Sequence, residues 1–134
     1  MPRSKAGKPA RQGAKGIGPE RVFLAVLKHY QVPLPVPEHQ FATSLGRKWR
    51  FDWAWVAERV ALEVQGGIWM RGKTLGAHAM PTNIQRDHAK FSAAACLGWR
   101  ILYVEPRQLA TPATAALIRT ALAWDPAKDS LLTP

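Results

Sequence analysis

The sequence predicts an α/β domain: a mixed central β-sheet flanked by helices, with elements in the order α-β-β-β-α-β-α. Three observations lead there. Helical and strand periodicities alternate along the chain, the strand segments concentrate Trp, Val and Leu, and 134 residues with 47% hydrophobic content suffice for one packed core.

Gly18-Pro19-Glu20 opens the first helix, since proline suits the first helical position and glutamate favours the positive end of the helix dipole. Val22, Phe23, Val26, Leu27 and Tyr30 then recur at helical spacing and give one apolar face. The stretch QVPLPVPEH (31–39) holds three prolines and reads as an extended connection, with a short strand near 39–44. Residues 49–56 and 59–66 alternate as strands about a turn at Ala57-Glu58. GGIWMRGKTLGAHAMP (66–81) is basic, Gly-rich and without periodicity, and a loop of that length in a small domain is usually functional or mobile. Thr82 or Asn83 caps a helix ending near Leu97, with Gly98 as its stop. WRILYVEP (99–106) is a strand closed by a proline. Thr111-Pro112 starts a last helix with Ala115, Leu117, Ile118, Ala121 and Leu122 as its apolar positions. The expected domain covers 18–125, between a basic disordered tail (1–17) and a flexible C-terminus (126–134).

Charge narrows the partners. Lys plus Arg number 19 against 9 Asp plus Glu, a net charge of +10. Arg3, Lys5, Lys8, Arg11 and Lys15 place half of that excess on the tail, and GRKWR (46–50) and MRGK (70–73) carry much of the rest. Solubility alone does not require such an imbalance, so a polyanion is expected, most simply nucleic acid. The single cysteine, Cys96, excludes a disulfide framework within the chain and points to a reducing compartment. It falls in the small-residue run AAACLG, where a packed, inert thiol is expected. Four scattered histidines offer no zinc-like spacing. No run of about 18 apolar residues and no apolar signal-peptide core occur, so the chain reads as soluble, cytoplasmic and without a membrane partner.

The strand pair poses the chemical question. With a turn at Ala57-Glu58, Val56 faces Arg59, Trp55 faces Val60, Trp53 faces Leu62 and Phe51 faces Val64. Phe51, Trp53, Trp55, Val60, Leu62 and Val64 then make one continuous apolar face. On the other face Arg50 meets Gln65, Ala54 meets Ala61, and Asp52 meets Glu63. A one-residue bulge would break this register. Two carboxylates placed opposite each other repel by roughly 0.2–1 kcal/mol on an exposed sheet, and more when partly buried. A divalent cation reverses the sign, and Mg²⁺ prefers such oxygen ligands together with waters and phosphate oxygens. The alternative is a pair of ordinary salt bridges, Asp52 with Arg50 or Lys48 and Glu63 with Arg59 or Arg47. The short side chains of Ala54 and Ala61 leave space over the acids, which favours a site.

Asp in FD (51–52), followed across paired strands by EVQ (63–65), resembles the signature of the PD-(D/E)XK nuclease superfamily. An acid in the preceding helix and a helix plus strand afterwards extend the likeness over about residues 18–105. With its GPERVFLAVL helix the chain looks most like the archaeal-type Holliday junction resolvases, which have phage relatives. The resemblance implies a restriction-endonuclease-like core and Mg²⁺-dependent hydrolysis of DNA phosphodiesters, with Mn²⁺ able to substitute and with 5′-phosphate products. Asp52 and Glu63 would hold the metal, with the Val64 carbonyl as a further ligand and Glu20 completing the site from the first helix. Gln65 stands where the family usually has lysine. The missing charge would come from Lys90, from Lys73 or from a second metal. Ser44 would contact phosphate, and Arg47, Lys48, Arg71, Lys73 and Lys90 would bind DNA. Four-way junctions and a symmetric homodimer are the implied substrate and assembly, acting in a host cytoplasm if the chain is phage-encoded. Other duplex, end or lesion endonucleases on the same scaffold, and a non-catalytic basic DNA-binding module, remain as alternatives. Two of these residues also have a plainer reading: Glu20 is a good helix-start residue, and Ser44 suits a turn.

His88 shares a helical stripe with Ile84, Phe91 and Ala95 and reads as a partly buried histidine. His78 has no assignable role. Trp53, Trp55 and Trp99 read as core. Trp69, near Arg71 and Lys73, reads either as a base-stacking residue or as a plug under the loop.

Overall fold

A computed structural model of the chain describes residues 18–65 and 81–129. Its elements are α1 (Pro19–His29), β1 (Val36–Gln40), β2 (Arg50–Trp55), β3 (Val60–Val64), α2 (Pro81–Cys96), β4 (Arg100–Val104), α3 (Pro112–Ala123) and a single-turn α4 (Pro126–Asp129). The four strands form one sheet in the order β1-β2-β3-β4. β1–β2 and β2–β3 pair antiparallel, whereas β3–β4 pair parallel, as they must when a helix carries the chain back. The expected mixed α/β class is therefore present. No helix among the described residues is long and apolar enough to cross a membrane.

The β2–β3 register follows the alternation in the sequence: Trp53 faces Leu62, Ala54 faces Ala61 and Trp55 faces Val60. Trp53, Trp55, Val60 and Leu62 pack on one side against Phe23 and Leu27 of α1 and Ala115 and Ile118 of α3. Phe23 and Trp53 meet with ring centroids 5.2 Å apart. The Trp55 indole N–H donates to the Pro33 carbonyl at 2.7 Å, so its polar atom is satisfied inside the core. On the opposite side Ala54 and Ala61 lie against Ala94 of α2, within a cluster that also holds Phe41, Phe51 and Trp99. The methyl side chains of Ala54 and Ala61 thus admit a helix, and do not leave open space as the sequence suggested.

Phe51 is a second correction. It does not continue the Trp53–Trp55 face but stacks on Phe41 at 3.9 Å and tilts against Trp99 at 5.0 Å, on the α2 side. The main chain departs from regular pairing at this level. The β1–β2 pairs step from Pro37–Trp53 to His39–Phe51, passing Glu38, whose φ of 51° lies in the left-handed region. The β2–β3 pairs stop at Trp53–Leu62.

β1 begins earlier than expected, inside the proline-rich stretch. Among the described residues its partner is β2 alone, and an edge strand tolerates prolines because its outer N–H positions need no ladder partner. Residues 43–45 form a 3-10 turn rather than a strand. α1 and α3 begin where proline and caps place them, Thr111 accepting from the Thr114 N–H at 3.3 Å. α2 stops at a Schellman turn: the Trp99 N–H donates to the Ala94 carbonyl and the Gly98 N–H to Ala95, with Gly98 at φ 80°. The segment after α3 holds the short α4 where a frayed end was expected.

Because Ala94 is fully buried on the sheet, a larger side chain there has to lift α2. Ala94→Leu is expected to cost about 1–3 kcal/mol in urea unfolding. An unchanged midpoint would show that α2 is not seated on Ala54 and Ala61.

Candidate active site

Beyond the Trp53–Leu62 pair the next residues on the two strands are Asp52 and Glu63. Here the Val64 N–H donates to Asp52 Oδ2 at 2.7 Å, so a side-chain carboxylate acts as acceptor for a β3 amide. That charge-assisted bond lets Asp52 sit half-buried within a strand. Glu63 is only 7% exposed, and its parallel partner on β4 is Tyr103. Burying a carboxylate so deeply requires a partner, and α2 brings one. One turn before Ala94, Lys90 donates from Nζ to Glu63 Oε1 at 2.7 Å. The same ammonium lies 5.7 Å from the Phe51 ring centroid and 5.5 Å from that of Phe91. The turn of Phe51 to this face therefore gives Lys90 one of its two aromatic walls.

Burial pushes the Glu63 carboxyl up to about 7; the hydrogen bond and charge of Lys90 pull it down, and neighbouring Asp52 pushes it up again. Burial thus brings the Glu63 carboxyl to about 7, beside a second carboxyl group that raises it. The Tyr103 phenol is held above its ordinary value by burial and then by the charges of Glu63 and Asp87.

The structure gathers Asp52, Glu63, Val64 and Lys90 and leaves other candidates apart. Glu20 is exposed in the first turn of α1. Among the described residues no three His, Cys, Asp or Glu side chains form a group able to hold a metal ion. Val64 contributes its N–H to Asp52, whereas the expectation concerned its carbonyl. Gln65 is exposed, and its N–H donates to the Val104 carbonyl at 2.8 Å as the strands end. Ser44, Arg47 and Lys48 are exposed on the connection between β1 and β2, with the Arg47 guanidinium 5.1 Å over the Trp49 ring. Arg71 and Lys73, with Trp69 and His78, lie outside the described residues.

The surface salt bridges offered as the plainer reading do not form. Glu63 pairs with Lys90, and Arg59 instead donates from Nη1 to the Leu97 carbonyl at 2.6 Å. Two further expectations fail: His88 is exposed on α2, and Cys96 is exposed at its end. Trp53, Trp55 and Trp99 are core residues as expected. Tyr103 lies beside Glu63 and Phe91 packs on Tyr103, and neither is among the expected site residues. Their rings meet edge to face at 5.5 Å. The available signal was that Phe91 follows Lys90 on the sheet-facing side of α2.

Together the fold and site define a mixed α/β protein with a half-buried carboxylate pair and an anchored lysine. No protein-family model matches the chain. No solved structure matches it. It is similar to two curated proteins of Mycobacterium tuberculosis, Uncharacterized protein MT2308 and Uncharacterized protein Rv2248. Each is 29% identical over 105 residues, covering 73% of this chain and 36% of the relative. The chain therefore spans about a third of the length of the curated relatives it matches.

The raised Glu63 value has a stability consequence. Between the ordinary glutamate value of 4.5 and about 7, folded Glu63 keeps a proton that the unfolded chain has released. Stability in metal-free buffer therefore falls as pH rises through that window, by at most ~1.4 kcal/mol per pH unit for one whole proton. Urea unfolding of wild type and Glu63→Gln from pH 5 to 8 reads this directly. The variant's curve should be flatter over pH 5–7, and parallel curves would show that Glu63 titrates normally.

Proposed function

We propose that this chain is a metal-dependent DNA endonuclease of the PD-(D/E)XK type, acting on four-way junctions by paired nicks. One observation carries the reading: Asp52 and Glu63 stand together where β2 and β3 stop pairing, with the Lys90 ammonium 2.7 Å from Glu63. The element order and the sheet with one parallel pair agree with the core that the sequence resemblance implies. The net charge of +10 suits a polyanionic substrate.

The residues present fit a divalent cation of the Mg²⁺ kind. Such an ion is commonly bound through one or two carboxylates, with waters and substrate phosphates filling the rest of its shell. Val64 engages Oδ2 of Asp52 and Lys90 engages Oε1 of Glu63, which leaves Oδ1 and Oε2 as the oxygens offered to an ion. A carboxyl that titrates near 7 gives up its proton readily when a cation arrives. Glu20 is not gathered into this group, so an ion held by Asp52 and Glu63 would need substrate phosphate oxygens and water to complete its shell. A bound ion would neutralise phosphate charge and make a water more acidic.

The chain's own residues do the remaining work. Asp52 is held in orientation by the Val64 amide, and Glu63 is held by Lys90. Lys90 supplies the positive charge that Gln65 lacks, and its two ring contacts keep that charge in place before substrate arrives. A four-way junction is close to two-fold symmetric, so two opposed nicks call for a symmetric pair of chains.

The Lys90–Glu63 ion pair also suits a second reading, a non-catalytic DNA-binding module in which the lysine permanently neutralises the glutamate. One assay separates the two: labelled four-way junction and linear duplex incubated with Mg²⁺ or with EDTA. Metal-dependent symmetric nicks of the junction are expected. They should fall by at least about 100-fold in Asp52→Asn, Glu63→Gln and Lys90→Ala. Equal cutting of linear duplex would remove the junction preference, and tight binding without cutting would establish the module. A further outcome concerns pH. Mg²⁺ affinity measured calorimetrically should rise by up to about tenfold per pH unit below 7 and level off above it, as one proton is displaced. A flat profile would exclude Glu63 as a ligand.

A further inference from the structure

Tyr103 has no part in the chemistry above, yet its placement is unusual. It is the in-register parallel neighbour of Glu63, so both side chains leave the same face of the sheet. Glu63 is 7% exposed there, whereas Tyr103 is 46% exposed. The difference arises because β4 is the sheet's outer strand, with no further strand beside it among the described residues. Phe91 of α2 meets the Tyr103 ring edge-on at 5.5 Å and 88°, which fixes the ring's tilt while leaving much of it to solvent. Lys90, whose ammonium is 5.5 Å from the same Phe91 ring, puts a positive charge beside this aromatic step. Burial, then Glu63 from β3 and Asp87 from α2, raise the phenol above its ordinary value, and at neutral pH it is a neutral ring with a hydroxyl donor.

We propose that Tyr103, backed by Phe91, is a stacking platform for an unstacked nucleobase next to the phosphodiester held at Asp52 and Glu63. The inference rests on the nuclease reading for the position of that phosphodiester, and it narrows the substrate class. Bases in intact duplex are stacked on one another and offer no free face to a protein ring, whereas a base at a branch point, gap or flap does. An exposed aromatic ring beside an anchored cation is the combination that binds single-stranded nucleotides with little sequence preference. Tyr103 is thus a specificity-determining residue that selects DNA with an unstacked base at the cleavage position, at a junction's branch point as at a flap.

The test is equilibrium binding in EDTA, where no cleavage occurs. Fluorescence anisotropy compares a flapped duplex, a four-way junction and a blunt duplex of equal length, with wild type, Tyr103→Leu and Tyr103→Phe. Wild type should prefer the flapped DNA over the blunt duplex by about tenfold or more. Tyr103→Leu should lose that preference while binding blunt duplex as before, which also reports an intact fold. Tyr103→Phe, which keeps the ring, should retain it. A preference that survives Tyr103→Leu, or no preference in wild type, overturns the inference. Because metal is absent, the outcome is independent of nuclease activity: a protein that cuts without this selectivity sinks the platform alone. One that shows the selectivity but never cuts keeps the platform and loses the nuclease.

Discussion

A single hydrogen bond, from the Val64 amide to the Asp52 carboxylate, determines how this site is built. In a continuous antiparallel ladder a β3 amide would find a main-chain acceptor on β2. At Asp52 the side chain takes that role, the regular pairs end at Trp53–Leu62, and the two acids are left side by side. Such an arrangement costs energy on its own, because it collects negative charge in a partly buried place. It persists because each carboxylate has a dedicated partner, an amide for Asp52 and an ammonium for Glu63. The site is therefore a satisfied polar cluster in the resting protein, with one oxygen of each carboxylate engaged by its own partner.

The second determinant is the closeness of α2. Alanines at 54, 61 and 94 let the helix rest directly on the sheet, and this fixes Lys90 one turn away, above Glu63. The same packing explains why Phe51 leaves the tryptophan face. In its actual position it joins Phe41 and Trp99 under the helix and lends a ring to the lysine. Core packing and site electrostatics are in this way one structure: a change that lifts α2 also withdraws the charge beside the acids.

Much of this was legible in the sequence, for definable reasons. Period-two alternation over 53–62 set the strand register, because a one-residue slip would put the tryptophans in water. Proline and glycine signals placed the start of α1 and the end of α2. The local distortion at Asp52 was not legible, since it depends on a side chain replacing a main-chain acceptor. Phe51 was misplaced for that reason. β1 starts at Val36, ahead of the strand expected near 39–44, because prolines cost little at a sheet edge. Lys90 stood among three candidate cations, and selecting it needed the helix-to-sheet distance, a tertiary quantity. For Glu20 the motif resemblance implies a metal ligand, and the residue is exposed in the first turn of α1, away from the pair that Asp52 and Glu63 make.

The central claim is that Asp52 and Glu63 together bind a divalent cation, which displaces the proton of Glu63. Carboxyl-carbon NMR of the Glu63 side chain, followed from pH 5 to 9 without and with Mg²⁺, tests this most directly. The account predicts a midpoint near 7 in the metal-free protein, moving down by more than one pH unit when Mg²⁺ is added. A midpoint that ignores Mg²⁺, or one already at the ordinary glutamate value without it, would contradict the account.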